Sequence, residues 1–358
     1  MRKLLLVALL LCMGAVICGG PVATLAADKP VEISTCWMDE SPGFNIWYAK
    51  KMGWDKEEGL DIKMLLFNSG PAQMEALPAK EWVLGSTGVG GQLIGGIRYN
   101  IYSVAPIISE GEVHVLYLRP DSPAAKVKGY NPKYPNVYGS PETVKGMKIL
   151  YTSQTTVHYM IGKWLSILGL TEADVTLVNM EQPSAVPAFE KGIGDAVCLW
   201  APFTFVADSR KWQRAGSMTD MDCITVSSLV GDKKWCDENP ELVAKFLRGS
   251  NMLREEGPSP RIIKEYRQYM NEFAGIRMTD EEAKLDIQIH PRWSYEETMA
   301  LLDRSKGESQ ADKWQNSVAD FFGSIKRFSP AEIQKFKDAK INTDKFLKLV
   351  QQPIPSWK

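Results

Sequence analysis

The chain is poor in the side chains that most often carry chemistry. Its 358 residues include only three histidines, at positions 114, 158 and 290, too scattered for a metal site to be argued from spacing. It lacks a phosphate-binding loop, a nucleophile elbow, a metalloprotease helix and a paired-cysteine zinc motif. The cluster Gly88-Val-Gly90-Gly-Gln-Leu93 is short of the third glycine of a dinucleotide fingerprint. Neither Cys36 nor Cys198 has a neighbouring base or an electropositive setting that would activate a thiol. Net charge is nearly absent too: 42 Lys and Arg face 43 Asp and Glu. No basic field exists to hold nucleic acid or an anionic membrane surface. Beyond the first residues no apolar run approaches the roughly 20 residues of a membrane span, and the most apolar candidate, Ala196 to Ala207, is short and contains Pro202. The sequence therefore argues against an enzyme, a metal centre, a cofactor and a nucleic-acid partner. A small-molecule partner remains.

What is present is a large core. Apolar residues make up 44% and charged residues 24% of the chain, the composition of a folded protein, and the length exceeds the usual 100 to 200 residues of one domain. Two lobes are expected. Residues 1–27 read as a cleaved secretory signal, with Arg2 and Lys3 as the basic segment, Leu4 to Ile17 as the apolar segment and Ala23-Thr-Leu-Ala26-Ala27 as the small-residue cleavage site. Cys12 and Cys18 lack the small preceding residue that lipid attachment needs, so soluble release outside the cytoplasm is expected. Cleavage leaves 40 basic and 43 acidic residues, a charge of −3. Four mature cysteines, 36, 198, 223 and 236, remain in an oxidising compartment. Cys223 and Cys236 could close a loop, whereas Cys198 sits in an apolar run and reads as a buried thiol.

Strand and helix patterns alternate along the chain. Val31 to Cys36, Gly59 to Phe67, Trp82 to Gly85 and Ile101 to Ile108 read as strands, each followed by a polar or glycine-rich turn and most by a helix. That rhythm means parallel βαβ units, whose ligands sit at the carboxyl ends of the strands. Val113 to Leu118 is another strand, and Arg119 to Pro141, rich in Pro, Gly and Tyr, is a linker or insertion. A second α/β lobe follows, with strands at Lys148 to Tyr151, Val175 to Asn179 and Ala196 to Trp200. After a last strand at Ile224 to Val230 the chain turns helical. Capping boxes stand at Thr279 with Glu282, Ser294 with Glu297, and Ser329 with Glu332. Residues 351–358 read as a loose tail.

Hydroxyl and glycine loops recur at predicted helix starts in both lobes. Ser69-Gly70-Pro71, Ser86-Thr87-Gly88 and Ser153-Gln-Thr155-Thr156 each offer free backbone N–H groups and hydroxyl donors. Several helix N-termini converging on one cleft can hold an oxyanion without a Lys or Arg. Any one of these hydroxyls equally serves as a plain helix cap; their common position at strand ends carries the functional reading.

Three segments of the second lobe resemble taurine-binding and alkanesulfonate-binding proteins of ABC importers. They are Ser153-Gln-Thr-Thr-Val-His158-Tyr-Met-Ile, Leu177-Val-Asn-Met-Glu-Gln-Pro183 and Gly194-Asp-Ala-Val-Cys-Leu-Trp200-Ala-Pro202. Phe67-Asn-Ser-Gly-Pro71, Gly85-Ser-Thr-Gly88 and the stretch from Lys234-Trp235 to Phe246 are similar to the first lobe of the same family. The resemblance runs in order over roughly residues 30 to 255.

The resemblance implies an α/β, two-lobed periplasmic binding protein of type II, the venus-flytrap fold, with C-terminal helices. Lobe 1 would comprise residues 28–120 and 224–358, lobe 2 residues 121–223, with crossovers near 119–123 and 221–225. It further implies that Ser69, Gly70, Ser86 and Thr87 face Thr155, Thr156, His158 and Trp200 across the cleft. The indole of Trp200 would wall the site or, alternatively, end its strand as a core residue. His158 would orient a hydroxyl, donate to an oxyanion or pack its helix. Gln154 stands where the family often has glycine, and the loop Asp39-Glu40-Ser41-Pro42-Gly43-Phe44 has no close counterpart. An ammonium-bearing ligand such as taurine would need carboxylates, for which Asp39, Glu40, Glu110, Asp220 and Asp222 border strand ends or crossovers. The expected role is the extracytoplasmic binding component of an importer, a monomer that delivers an aliphatic sulfonate to the permease's membrane subunits. Nitrate, a thiamine pyrimidine precursor and an aromatic acid are the alternative ligands. A pyrimidine-precursor synthase shares the fold, but the signal sequence and the lack of a clustered His and Lys site argue against it.

Overall fold

The computed structural model describes residues 29–249 and 258–350. The expected signal segment, with Cys12 and Cys18, and the expected tail at 351–358 lie outside the described residues.

Strands β1 (Val31–Trp37), β2 (Leu60–Leu66), β3 (Leu84–Thr87) and β4 (Ile101–Ser109) open the chain. They are followed by β5 (His114–Leu118), β6 (Lys148–Tyr151), β7 (Thr176–Asn179), β8 (Ala196–Trp200), β9 (Gln213–Ser217) and β10 (Val226–Asp232). They build two five-stranded sheets, in the orders β2-β1-β3-β10-β4 and β7-β6-β8-β5-β9. Both sheets have the same plan: a parallel βαβ set with one antiparallel strand lent by the other end of the chain. β10 runs antiparallel to β3 and β4, and β5 runs antiparallel to β8 and β9. Two crossovers, after β4 and after β9, are thereby built into the sheets.

Alternation along the strands decides which residues face which helical layer. Trp37, Ile62, Leu84 and Leu229 lie in one core cluster of the first sheet, while their chain neighbours Cys36 and Val230 lie in the other with Trp82, Leu93 and Phe322. In the second sheet Leu116, Ile149 and Cys198 pack with Trp164, and Val115, Leu150, Val197 and Leu199 pack with Phe189 on the opposite face. Strands covered on both faces read as continuous apolar runs, as Ala196–Trp200 does. The edge strands β2 and β7 are partly exposed.

The first lobe boundary differs from expectation. Val113 to Leu118 continues the apolar character of β4 after only Glu110-Gly-Glu112, so composition suggests one lobe. Pairing decides otherwise: β5 matches β8 from His114↔Trp200 to Leu118↔Ala196. The chain therefore changes lobes at 110–113, not at 119–123. The return at the second crossover falls near the expected 221–225, because β9 ends at Ser217 and β10 starts at Val226. β9 itself, Gln-Arg-Ala-Gly-Ser, is too short and polar to be read as a strand from sequence.

All three expected capping boxes form. The helices Gln310–Ser324 and Pro330–Ala339 cover the first-lobe helix Val89–Arg98. The former also reaches the second lobe: a Cβ on Gly162 would lie 2.0 Å from the Phe321 ring, so that ring rests on the bare backbone of the helix Thr156–Ile167. Cys36, Cys198, Cys223 and Cys236 are buried free thiols. Cys223 lies in the second-lobe core and Cys236 in the first-lobe core, so the conceivable pair does not form. Among the described residues no helix is long and apolar enough to cross a membrane.

Candidate functional site

The carboxyl ends of the strands from both sheets meet at one cleft. Met38 and Glu40 follow β1, Gly70 follows β2, and Thr87 with Gly88, Gly90 and Gly91 ends β3 and starts the next helix. Glu110 and His114 come from the first crossover, Thr155 and Thr156 from the turn after β6, and Trp200 from the end of β8. About 20 Å³ of free space remains among them, room for about one water molecule. The approach is close because glycines permit it. A Cβ on Gly90 would sit 2.2 Å from the carbonyl oxygen of Gln154, and one on Gly88 would sit 3.1 Å from both Glu110 Oε1 and Thr156 Oγ1.

Two helices, Val89–Arg98 and Thr156–Ile167, point their N-termini at this space from opposite lobes. Their N-cap residues, Gly88 and Thr155, make no side-chain cap hydrogen bond. Thr155 Oγ1 instead donates to the Thr152 carbonyl at 2.7 Å. First-turn N–H groups at such ends favour negative charge. Two further donors, Thr87 Oγ1 and Trp200 Nε1, are buried without a partner among the described residues. A buried donor left unpaired is costly.

Carboxylates stand beside these donors, and among the described residues no Lys or Arg lines the cleft. Glu110 is fully engaged: Thr225 Oγ1 (2.5 Å) and Thr156 Oγ1 (3.3 Å) donate to Oε2, and Ser227 Oγ (2.6 Å) donates to Oε1. It thus ties the second crossover and β10 to the second-lobe helix. Burial, reinforced by Glu110, Asp39 and Asp286, holds the Glu40 carboxyl well above the usual range. Asp39 is pushed up to about 6, again chiefly by burial, with Glu181 adding to it. Glu181 is raised by burial, and across the cleft Ser69 Oγ donates to its Oε1 at 3.3 Å. His114 is held below its normal value by burial, which outweighs the neighbouring Glu110; its ring lies 6.4 Å from that of Trp200. A neutral imidazole and an indole therefore form one wall.

Residues 29–250 match the profile of the NMT1-like family. The chain belongs to that family. An ABC transporter periplasmic binding protein of Brachyspira hyodysenteriae is 29% identical over 75% of this chain and 76% of its own. An aliphatic sulfonates-binding protein of Bacillus subtilis is 25% identical over 57% of this chain and 59% of its own. Among solved structures, the periplasmic nitrate-binding protein of Synechocystis PCC 6803 superposes with a TM-score of 0.68, at 13% identity and 92% coverage of both chains. The NMT1-like chain has the periplasmic binding protein fold, and these relatives are binding proteins. Among its described residues no group of His, Cys, Asp and Glu is arranged to hold a metal ion.

In this NMT1-like protein the expected residues Glu40, Gly70, Thr87, Glu110, Thr155, Thr156 and Trp200 are brought together at the cleft. The others are not on its wall. Ser69 is the N-cap one position back and bonds Glu181. Ser86 is buried inside β3, its carbonyl accepting from Gln73 Nε2. Ser41 accepts from the buried guanidinium of Arg292. Asp222 is exposed on the second crossover, and Asp220 accepts from Ser217 within the same turn. His158 is fully buried behind the cleft. Gly88, offered by the loop Ser86-Thr87-Gly88, lines it too. Conversely, Met38, Gly90, Gly91 and His114 line the cleft unannounced. For the glycines a signal existed, the run Ser86 to Gly91; for His114 the only signal is its register opposite Trp200, which sequence does not display.

Proposed function

We propose that this NMT1-like protein is the periplasmic, monomeric solute-binding component of an ABC importer, and that its ligand is a compact aminosulfonate of the taurine type. One observation carries the ligand class: among the described residues, unpaired donors and two uncapped helix N-termini face buried carboxylates within a single cleft lined by no cation. The donors suit an oxyanion. Glu40 and Asp39 suit an ammonium group and penalise a ligand that brings negative charge alone. The site is complete within one chain, which supports a monomer. Ligand enters when the lobes part about the crossovers at 110–113 and 218–225, and its contacts to both lobes favour the closed form that the permease receives.

Calorimetric titration of the purified protein with taurine, ethanesulfonate, sulfate and nitrate tests this reading. Taurine should bind at least tenfold more tightly than ethanesulfonate, which lacks the amine. Equal affinity for the two, or tighter binding of nitrate, refutes the aminosulfonate assignment. Mass spectrometry of small molecules released by denaturation would then identify a pyrimidine or aromatic acid directly.

A further inference from the structure

We infer that His158 is a positioning residue for ligand binding: it touches no ligand, but it holds the Gln154 turn that presents Thr155 and Thr156 to the cleft. This rests on the reading of the cleft as a ligand site. Gln154 has φ +59°, the left-handed conformation that non-glycine residues keep only when their surroundings impose it. Its backbone N–H donates to His158 Nδ1 at 3.1 Å. An imidazole that accepts at Nδ1 carries its proton on Nε2. Nε2 lies 2.7 Å from Glu172 Oε1, so Glu172 selects the tautomer that the turn needs. The ring is packed edge-on against Tyr151 and Phe322, with centroids 4.8 and 5.1 Å away.

What the turn positions is the site. The Gln154 carbonyl is the group that abuts Gly90 of the first lobe, and the next two residues line the cleft. Releasing Gln154 from its left-handed conformation would re-aim this carbonyl and the amides that start the helix Thr156–Ile167. The same relay touches the C-terminal helices, because Phe322 of the helix Gln310–Ser324 packs on the His158 ring and Glu172 Oε2 lies 3.8 Å from Arg327 in the turn that follows that helix. One contact set therefore links the helix that bridges both lobes to the turn that meets the ligand.

The variant His158→Phe keeps a ring of similar size and removes the acceptor, while Glu172 keeps its pairing with Arg327. Its amides at 155–157 should exchange faster with solvent. Its Kd for taurine should rise about three- to tenfold, the worth of one hydrogen bond. Adding Gln154→Gly should restore most of both, since glycine adopts positive φ without being held. In the wild type, nitrogen NMR of the imidazole should show an unprotonated Nδ1 and a protonated Nε2. Wild-type exchange in His158→Phe, a failure of Gln154→Gly to restore it, or a proton on Nδ1 overturns the proposal. Exchange and tautomer are read without ligand, so a wild type that ignores taurine counts against the aminosulfonate reading and leaves these arms decisive for His158.

Discussion

Replacing Gly90 by alanine separates binding from folding. Gly90 is the second residue of the helix Val89–Arg98, and a Cβ there would lie 2.2 Å from Gln154 O and 2.7 Å from Thr155 Cα. Both obstacles are backbone atoms of the opposite lobe, so no side chain can swing aside, and the lobes must stand apart by about 1 Å at the point where they meet the ligand. Overpacking of this kind costs about 2–3 kcal/mol, which the closed form bears and the open form does not. Affinity should fall about 30- to 150-fold. The free protein should lose nothing, because alanine is favoured over glycine in a helix by up to about 1 kcal/mol. Titration calorimetry and thermal unfolding of the same preparation measure the two effects, and small-angle scattering should show that ligand no longer compacts the variant. A Gly90→Ala protein that binds within threefold of wild type refutes the closing geometry; one that melts well below wild type refutes the claim that the clash lies between lobes.

Two further substitutions test the cleft's polar groups. Asp39 is raised to about 6 from 3.8, so its folded form binds protons more tightly than the unfolded chain. Stability from this group is complete below about pH 4 and is lost as pH rises through about 6, to a limit of about 3 kcal/mol. Asp39→Asn should therefore strengthen the protein against urea by about 1–3 kcal/mol at pH 8 and leave it unchanged near pH 3.5; the reverse order would show that the carboxylate is paired, not buried alone. Trp200→Phe removes a donor that has no partner among the described residues. Urea stability should stay within about 1 kcal/mol while affinity for sulfonates drops about tenfold, the worth of a hydrogen bond to a charged group; undiminished affinity would place the indole outside the oxyanion contacts.

The parts of this architecture that were legible in the sequence are those decided locally. Ala196–Trp200 announces a central strand because both faces are covered, and Thr87, Thr155 and Thr156 announce site residues because a hydroxyl at the junction of strand and helix needs only local geometry to reach the cleft. The residues misplaced were those whose position depends on pairing across long sequence distance. His114 stands at the site because β5 pairs with β8, a match of residues more than eighty positions apart. His158 looks equivalent to Thr156 in a linear reading, but two residues further along the helix are about 200° round it, so its ring turns away from the cleft and packs against Tyr151 and Phe322. Ser69 and Ser86 failed by a single position, the difference between capping a helix or filling a strand and facing the space beyond it.

The near-zero net charge suggested that any anion would be held by helix ends and hydroxyls alone; the buried acids change what the ligand must bring. With Glu40 held well above the usual carboxylate range by burial and by Glu110, Asp39 and Asp286, the free protein keeps a proton there at pH values where an exposed carboxylate has lost it. An ammonium group placed against Glu40 favours the ionised form and lowers that value. Binding of taurine must then release protons, up to about one per ligand, and its affinity must rise with pH until the free carboxyl is fully ionised. Ethanesulfonate, having no cation to offer, releases none. The heat of taurine binding measured in buffers of different ionisation enthalpy reads the proton count directly. A heat that is buffer-independent at every pH above the ordinary carboxylate range would mean that Glu40 does not meet the amine, and would leave the buried acids without a part in recognition.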